Sequence, residues 1–267
     1  MALLHHANGF CAAAWGPVAQ LLRPRYRVIA IDARGHGDSD GFENPDDVQW
    51  NHFVDDLVSV AEQVLGESGR DRIDYGIGSS LGGVITALAE ARRPRTFKRI
   101  AMLDPPVHPG EAWIVKLQLD RPAVAFAREG LAARARKRRG RWPSRAAIRE
   151  AWKNKPVFCA WAPEVFELYL DEGFKSLQDG SVALKCAPTV EAAVFEAIAD
   201  IDFFGAFATV CCPILLVHAS GGFFSSAIHK CFASEMPNGT YAVADVGHLI
   251  PYESPELCVR LLFDFVD

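Results

Sequence analysis

Short apolar runs alternate with longer amphipathic stretches along most of this chain. Residues 27–32 (RVIAID), 72–77 (RIDYGI), 99–104 (RIAMLD) and 213–218 (PILLVH) are near-continuous apolar runs, with shorter companions at 3–4 and 240–244. Strands that alternate apolar with polar positions have one wet face. Unbroken runs of this length belong to strands covered on both faces, as in a parallel sheet between helices. Between them, residues 15–22, 48–65, 81–92, 225–233 and 255–266 carry helical periodicity. The alternation predicts right-handed βαβ units and a doubly wound α/β sheet.

One interval breaks the rhythm. Residues 105–210 hold several helical patterns broken by prolines but no buried-strand pattern. A structureless loop of that length does not fit inside a compact domain. The segment 106–210 is therefore expected to be an inserted helical cap, with 1–105 and 211–267 forming the core. An insertion there lies over the strand ends where open α/β sheets bind ligands. Its aromatic residues, among them Trp142, Trp152, Trp161 and Tyr169, are expected mainly to pack cap on core, with a few lining an apolar pocket. The basic run 128–145, with eight basic residues and one acid, reads as the solvated face of a helix.

The stretch GIGSSLGG follows one apolar strand and precedes the helical LGGVITALAEARR. Gly78-Ser79-Ser80-Leu81-Gly82 fits G-x-S-x-G in the strand–turn–helix setting that a nucleophile elbow needs. A serine at such a turn adopts a strained backbone, and its neighbours two before and two after must lack side chains. The turn exposes the hydroxyl beside a helix N-terminus, whose amides favour a developing oxyanion. A dinucleotide fingerprint is a poor fit, because the last glycine of the run is one residue out of register.

Ser80 needs a general base, and the base needs an orienting group. Of eight histidines, His248 lies in ADVGHLIPYESPE, just beyond the last strand. His5, His6 and His36 lie in LLHHANGF and DARGHGDSD and are expected to shape loops.

Taken together, HANGF, DARGHGDSD, GSSLGG, LDPP, a helical cap and GHLIPYESPE run in an order that resembles the α/β-hydrolase fold family, over essentially the whole chain. The resemblance implies a serine hydrolase of esterase type with a mostly parallel, helix-flanked sheet. Ser80 would be nucleophile, His248 general base, and the amides of Phe10 and Leu81 the oxyanion hole. Two departures stand out. The family's N-terminal β-hairpin is missing before Leu3, so the sheet is expected to begin with an unguarded edge, or the chain to be a truncated product. The loop after PILLVH reads ASGGFFSS, without the usual acid. Asp104, at the end of RIAMLD, is the assigned acid; the alternatives are Asp200, Asp202 or no acid at all, and Asp245 is too close to His248 in sequence.

The remaining features narrow partners. Net charge is -5, and no run reaches the roughly 18 apolar residues of a membrane helix. Nucleic acid and membrane are not expected as partners, and the chain reads as a cytoplasmic monomer or homodimer. Seven cysteines without C-x-x-C spacing read as free thiols. No cofactor is called for, and no His/Cys/Asp cluster shows metal-ligand spacing. The substrate is expected to be a small to medium carboxylic ester, lactone or thioester. A carbon–carbon bond hydrolase of the same fold, or a ligand-binding protein that lost its acid, stays open.

Overall fold

A computed structural model describes residues 1–107, 110–116, 118, 130–197 and 203–266. Six strands form one parallel sheet: β1 (Ala2–His5), β2 (Val28–Ile31), β3 (Tyr75–Ser79), β4 (Ile100–Leu103), β8 (Ile214–Ala219) and β9 (Gly239–Ala244). Their order is β2-β1-β3-β4-β8-β9. Each expected strand is present within a few residues, and the four central ones are buried throughout. β1 pairs on both sides, and the sheet's two open edges are the half-buried β2 and, at the far end, β9.

Helices cover both faces. On one, α2 (Trp50–Ser68) and α3 (Leu81–Arg92) pack with the helix Ser226–Glu235 around Phe53, Leu57, Val84, Ile85, Met102 and Phe232. On the other, α1 (Gly16–Leu22) and the helix Pro255–Asp264 cover Leu4, Ile77, Leu103 and Val217. Alternate residues of one strand thus serve two cores, which is why the runs are apolar at every position.

The segment between β4 and β8 differs from expectation. Besides helices, it carries a three-stranded antiparallel sheet of β5 (Arg141–Trp142), β6 (Phe174–Ser176) and β7 (Val182–Leu184), in the order β5-β7-β6. These strands are too short for a hydrophobic pattern to register. The hairpin joining β6 to β7 turns through Asp179-Gly180. Trp142, Trp152, Trp161, Tyr169 and Phe174 pack into one cluster with Ala7, Cys11, Leu249 and Tyr252, so the segment sits on the loop after β1 and on the loop that carries His248.

The basic run is not a single solvated face. Arg138 is half-buried, paired with Glu191 at 2.8 Å and donating to the Tyr169 hydroxyl at 2.7 Å, while Arg145 donates to the carbonyls of Leu170, Asp171 and Phe174. Arg136 pairs with Glu196 and Arg141 with Asp179. Arg128 and Glu129 lie outside the described residues. The cysteines are all free, with Cys11, Cys186, Cys212 and Cys258 buried.

Candidate active site

In an all-parallel sheet the C-terminal ends of the strands share one edge, so the residues just beyond them meet. Ser80 follows β3 and Asp104 follows β4, and these strands pair with Ser79 opposite Leu103. Ser80 and Asp104 are therefore next in register. The Ser80 amide donates to the Leu103 carbonyl at 2.8 Å, and the Asp104 amide to Val217 at 2.7 Å.

Both residues hold a left-handed backbone, with φ of +52° at Ser80 and +46° at Asp104. Such conformations in non-glycine residues cost on the order of 1–3 kcal/mol each and persist where the surroundings enforce them. At Ser80 the enforcement is the elbow. A Cβ on Gly78 would lie 2.1 Å from the Gly82 carbonyl carbon, and one on Gly82 would lie 2.2 Å from the His5 carbonyl oxygen. Bare glycines let the strand turn directly into α3 while that helix presses on the end of β1.

Asp104 is fully buried and its carboxylate is divided between two donors. Oδ1 accepts the Ala219 amide at 2.9 Å, and Oδ2 accepts His248 Nδ1 at 2.7 Å. The second contact requires a proton on Nδ1 when His248 is neutral, which leaves its Nε2 bare to accept one. The loop ASGGFFSS, which lacks a carboxylate, makes room for this arrangement: a Cβ on Gly222 would sit 2.8 Å from Asp104 Oδ2. Phe223 and Phe224 from the same loop lie against the imidazole, with ring centroids 4.5 and 5.2 Å away. Asp245 instead accepts the Ser220 hydroxyl at 2.6 Å, and Asp200 and Asp202 lie outside the described residues.

Three further residues belong to the site's frame and escaped sequence reasoning. Glu253 accepts the amides on either side of His248, from Gly247 at 2.7 Å and from Leu249 at 3.1 Å. His218 and His229 stand behind Asp104, their Nδ1 atoms 3.6 and 3.7 Å from Oδ1. Glu253 had a readable signal, a carboxylate in the short helix after the histidine loop. The two histidines had none, because only the fold brings β8 and the helix Ser226–Glu235 to the end of β4.

The oxyanion-hole expectation divides. The Leu81 amide opens α3, where the first N–H groups have no intrahelical acceptor. The Phe10 amide does not fit the expected part. Residues 7–10 close a tight turn with Gly9 at φ +83°, and the Phe10 amide donates back to Ala7 at 3.2 Å. Its ring packs among Trp161, Tyr169 and Tyr252. The Gly9 amide goes to His36 Nε2 at 3.0 Å and the Ala12 amide to Asp32 at 2.7 Å. The Asn8 amide has no acceptor among the described residues.

His5, His6 and His36 brace loops. His6 Nδ1 meets the Ala7 carbonyl at 2.8 Å and its Nε2 accepts the Ala33 amide at 3.0 Å, tying the loop after β1 to the loop after β2. Burial lowers the pKa of all three, that of His5 to about 4, so they are neutral at pH 7.

Comparison with known proteins agrees with this fold. The model of the alpha/beta hydrolase family matches residues 2–261. The chain belongs to that family. It is similar to an abhydrolase domain-containing protein of Alternaria alternata, at 21% identity over 72% of this chain and 82% of the relative. A shorter stretch, 38% of this chain and 36% of the relative, is 32% identical to the (E)-2-((N-methylformamido)methylene)succinate hydrolase of Acinetobacter baylyi. Among solved structures, E-2-(acetamidomethylene)succinate hydrolase superposes with a TM-score of 0.81 at 20% identity, covering 100% of this chain and 91% of the other. The enol-lactonase of Burkholderia xenovorans does so with a TM-score of 0.66 at 20% identity, covering 99% and 90%. At these identities the two structures speak for the fold alone.

Proposed function

We propose that this alpha/beta hydrolase is a serine hydrolase that cleaves small to medium carboxylic esters, lactones or thioesters through an acyl-enzyme on Ser80. One observation carries the reading. A serine with a left-handed backbone at a strand-to-helix elbow lies next in register to a buried aspartate, and that aspartate accepts the His248 Nδ1 proton at 2.7 Å. In this reading Ser80 Oγ attacks the acyl carbonyl and passes its proton to His248 Nε2. The imidazolium then protonates the leaving oxygen or sulfur. A water deprotonated by the same nitrogen attacks the acyl carbon, releases the acid and restores Ser80. Asp104 fixes the tautomer and stabilises the transient cation. The Leu81 amide is one oxyanion donor, and the Asn8 amide, next to the turn that occupies Phe10, is the other. Residues 106–210 serve as a cap over the core formed by 1–105 and 211–267.

A ligand-binding protein without catalysis is the reading that a missing acid would favour, and the Asp104–His248 contact weighs against it. The relatives named for a lactone and for amidomethylene succinates extend the panel worth testing from esters to lactones and enamides. The test is a kinetic one on activated esters and enol-lactones. Asp104→Asn is expected to lower kcat by a factor on the order of 10⁴, the size seen when the acid of a serine triad is neutralised. Near-full activity in that variant would remove Asp104 from the mechanism, and no turnover by the unmodified protein across the panel would remove the hydrolytic reading.

A further inference from the structure

Two buried histidines that the proposed reaction does not use converge on the carboxylate that it does. His218 is the penultimate residue of β8, and His229 lies in the helix Ser226–Glu235. Their Nδ1 atoms are 3.0 Å apart, and each faces Asp104 Oδ1. His229 Nε2 lies 2.9 Å from the Pro105 carbonyl, which can only accept, so that nitrogen carries the ring's proton and Nδ1 presents a lone pair. A carbonyl on the remote nitrogen is the usual way a metal-binding imidazole is oriented. The His218 ring is held as well, stacked on Tyr241 with an interplanar angle of 21°.

We propose that Asp104, His218 and His229 form a binding site for a divalent transition metal of the zinc class. The three candidate ligand atoms make a triangle with edges of 3.0, 3.6 and 3.7 Å. A tetrahedral ion with bonds of about 2.1 Å has ligand–ligand edges of about 3.4 Å, which is the mean of those three. His218 Nδ1 donates to His229 Nδ1 in the metal-free protein, so an ion over the triangle would replace that proton and leave its fourth position for water. Two imidazoles and one carboxylate suit zinc, cobalt or nickel and do not suit magnesium or calcium, which take oxygen ligands. The donors are buried, with Asp104 and His229 at 0% and His218 at 7% exposure, so they are preorganised rather than recruited from mobile surface chains.

The site would act on the catalytic centre through one atom. An ion on Oδ1 draws charge from the carboxylate that holds His248 through Oδ2. It would thus weaken the support for a cation on His248 and slow the reaction. That consequence rests on the proposed serine chemistry, whereas the binding does not.

Cobalt(II) titration of the chelator-treated protein, followed by visible absorption, tests binding without any substrate, and equilibrium dialysis with zinc gives the stoichiometry. The expected result is one ion per chain with a tetrahedral cobalt spectrum, lost in His229→Gln and in His218→Phe and retained in His248→Ala. Two separate variants are used because His229 is buried, and the unmodified protein alone suffices to refute the site. Absence of the spectrum in the unmodified protein would overturn the proposal. So would binding that survives both substitutions, or a thiolate-to-cobalt band as the sole signal, since Cys159 and Cys211 are exposed. If zinc binds but the metal-free protein turns over no ester or lactone, the serine reading fails and the metal site stands.

Discussion

At the scale of single residues, the site depends on groups that hold other groups. His248 sits in a loop, and loops move unless something fixes them. Glu253 does this by accepting the two amides that flank the histidine. Glu253→Ala leaves both amides without that acceptor, at a cost of about 1–3 kcal/mol for each amide left buried. The expected kinetic signature is a lower kcat with little change in KM, and partial recovery in Glu253→Gln, whose amide oxygen can still accept one bond. A rise in KM alone would mean that the loop serves binding instead. The same scale shows what the sequence made readable. Ser80 and His248 announce themselves because their surroundings are written next to them, in the elbow glycines and in the loop after the last strand. Asp104 could be named only as one candidate, since Asp-Pro is also a common turn opening. His218 and His229 could not be named at all, because their partners lie 114 and 125 positions away, as differences from Asp104.

At the scale of elements, close approach explains where glycine is required and where it is merely tolerated. A Cβ on Gly82 would meet the backbone of β1, which cannot rotate away. Gly66, in the last turn of α2, faces open space. Gly82→Ala is accordingly expected to push α3 off β1 and destabilise by about 3 kcal/mol or more. Gly66→Ala is expected to stabilise by about 0.5–1 kcal/mol through helix propensity. Urea unfolding midpoints check both, and equal effects at the two positions would contradict the packing argument. Elements were also where the sequence was most and least legible. Strands buried on both faces produce long apolar runs, so the six parallel strands could be placed. The two- and three-residue strands β5, β6 and β7 fall below any periodicity, and the segment that contains them read as purely helical.

At the scale of the whole molecule, three neutral histidines are built into the junction between the first two strand ends. His5 and His6 have ring centroids 5.5 Å apart, and His6 and His36 5.1 Å. Burial lowers all three pKa values below that of an unfolded histidine, near 6.5. Because the unfolded chain then binds protons more readily, acid favours unfolding. Their stabilising contribution is complete above about pH 6.5 and declines as pH falls below it, for His5 down to about pH 4, by up to about 1.4 kcal/mol per pH unit for each histidine. Glu90, whose pKa is raised chiefly by burial, acts in the opposite sense and offsets part of the decline. The unfolding midpoint in urea should therefore drop between pH 7 and pH 5. A flat midpoint across that interval would mean that the buried cluster hydrates when protonated. No helix of the described residues is long and apolar enough to cross a membrane.

The central claim is that Ser80 is an activated nucleophile, and it can be tested without guessing a substrate. The protein is treated with a fluorophosphonate and the adduct is located by mass spectrometry. Rapid, stoichiometric labelling confined to Ser80, abolished in His248→Ala and strongly slowed in Asp104→Asn, is the predicted result. Failure of the folded protein to label at Ser80, or labelling that persists without His248, would contradict it.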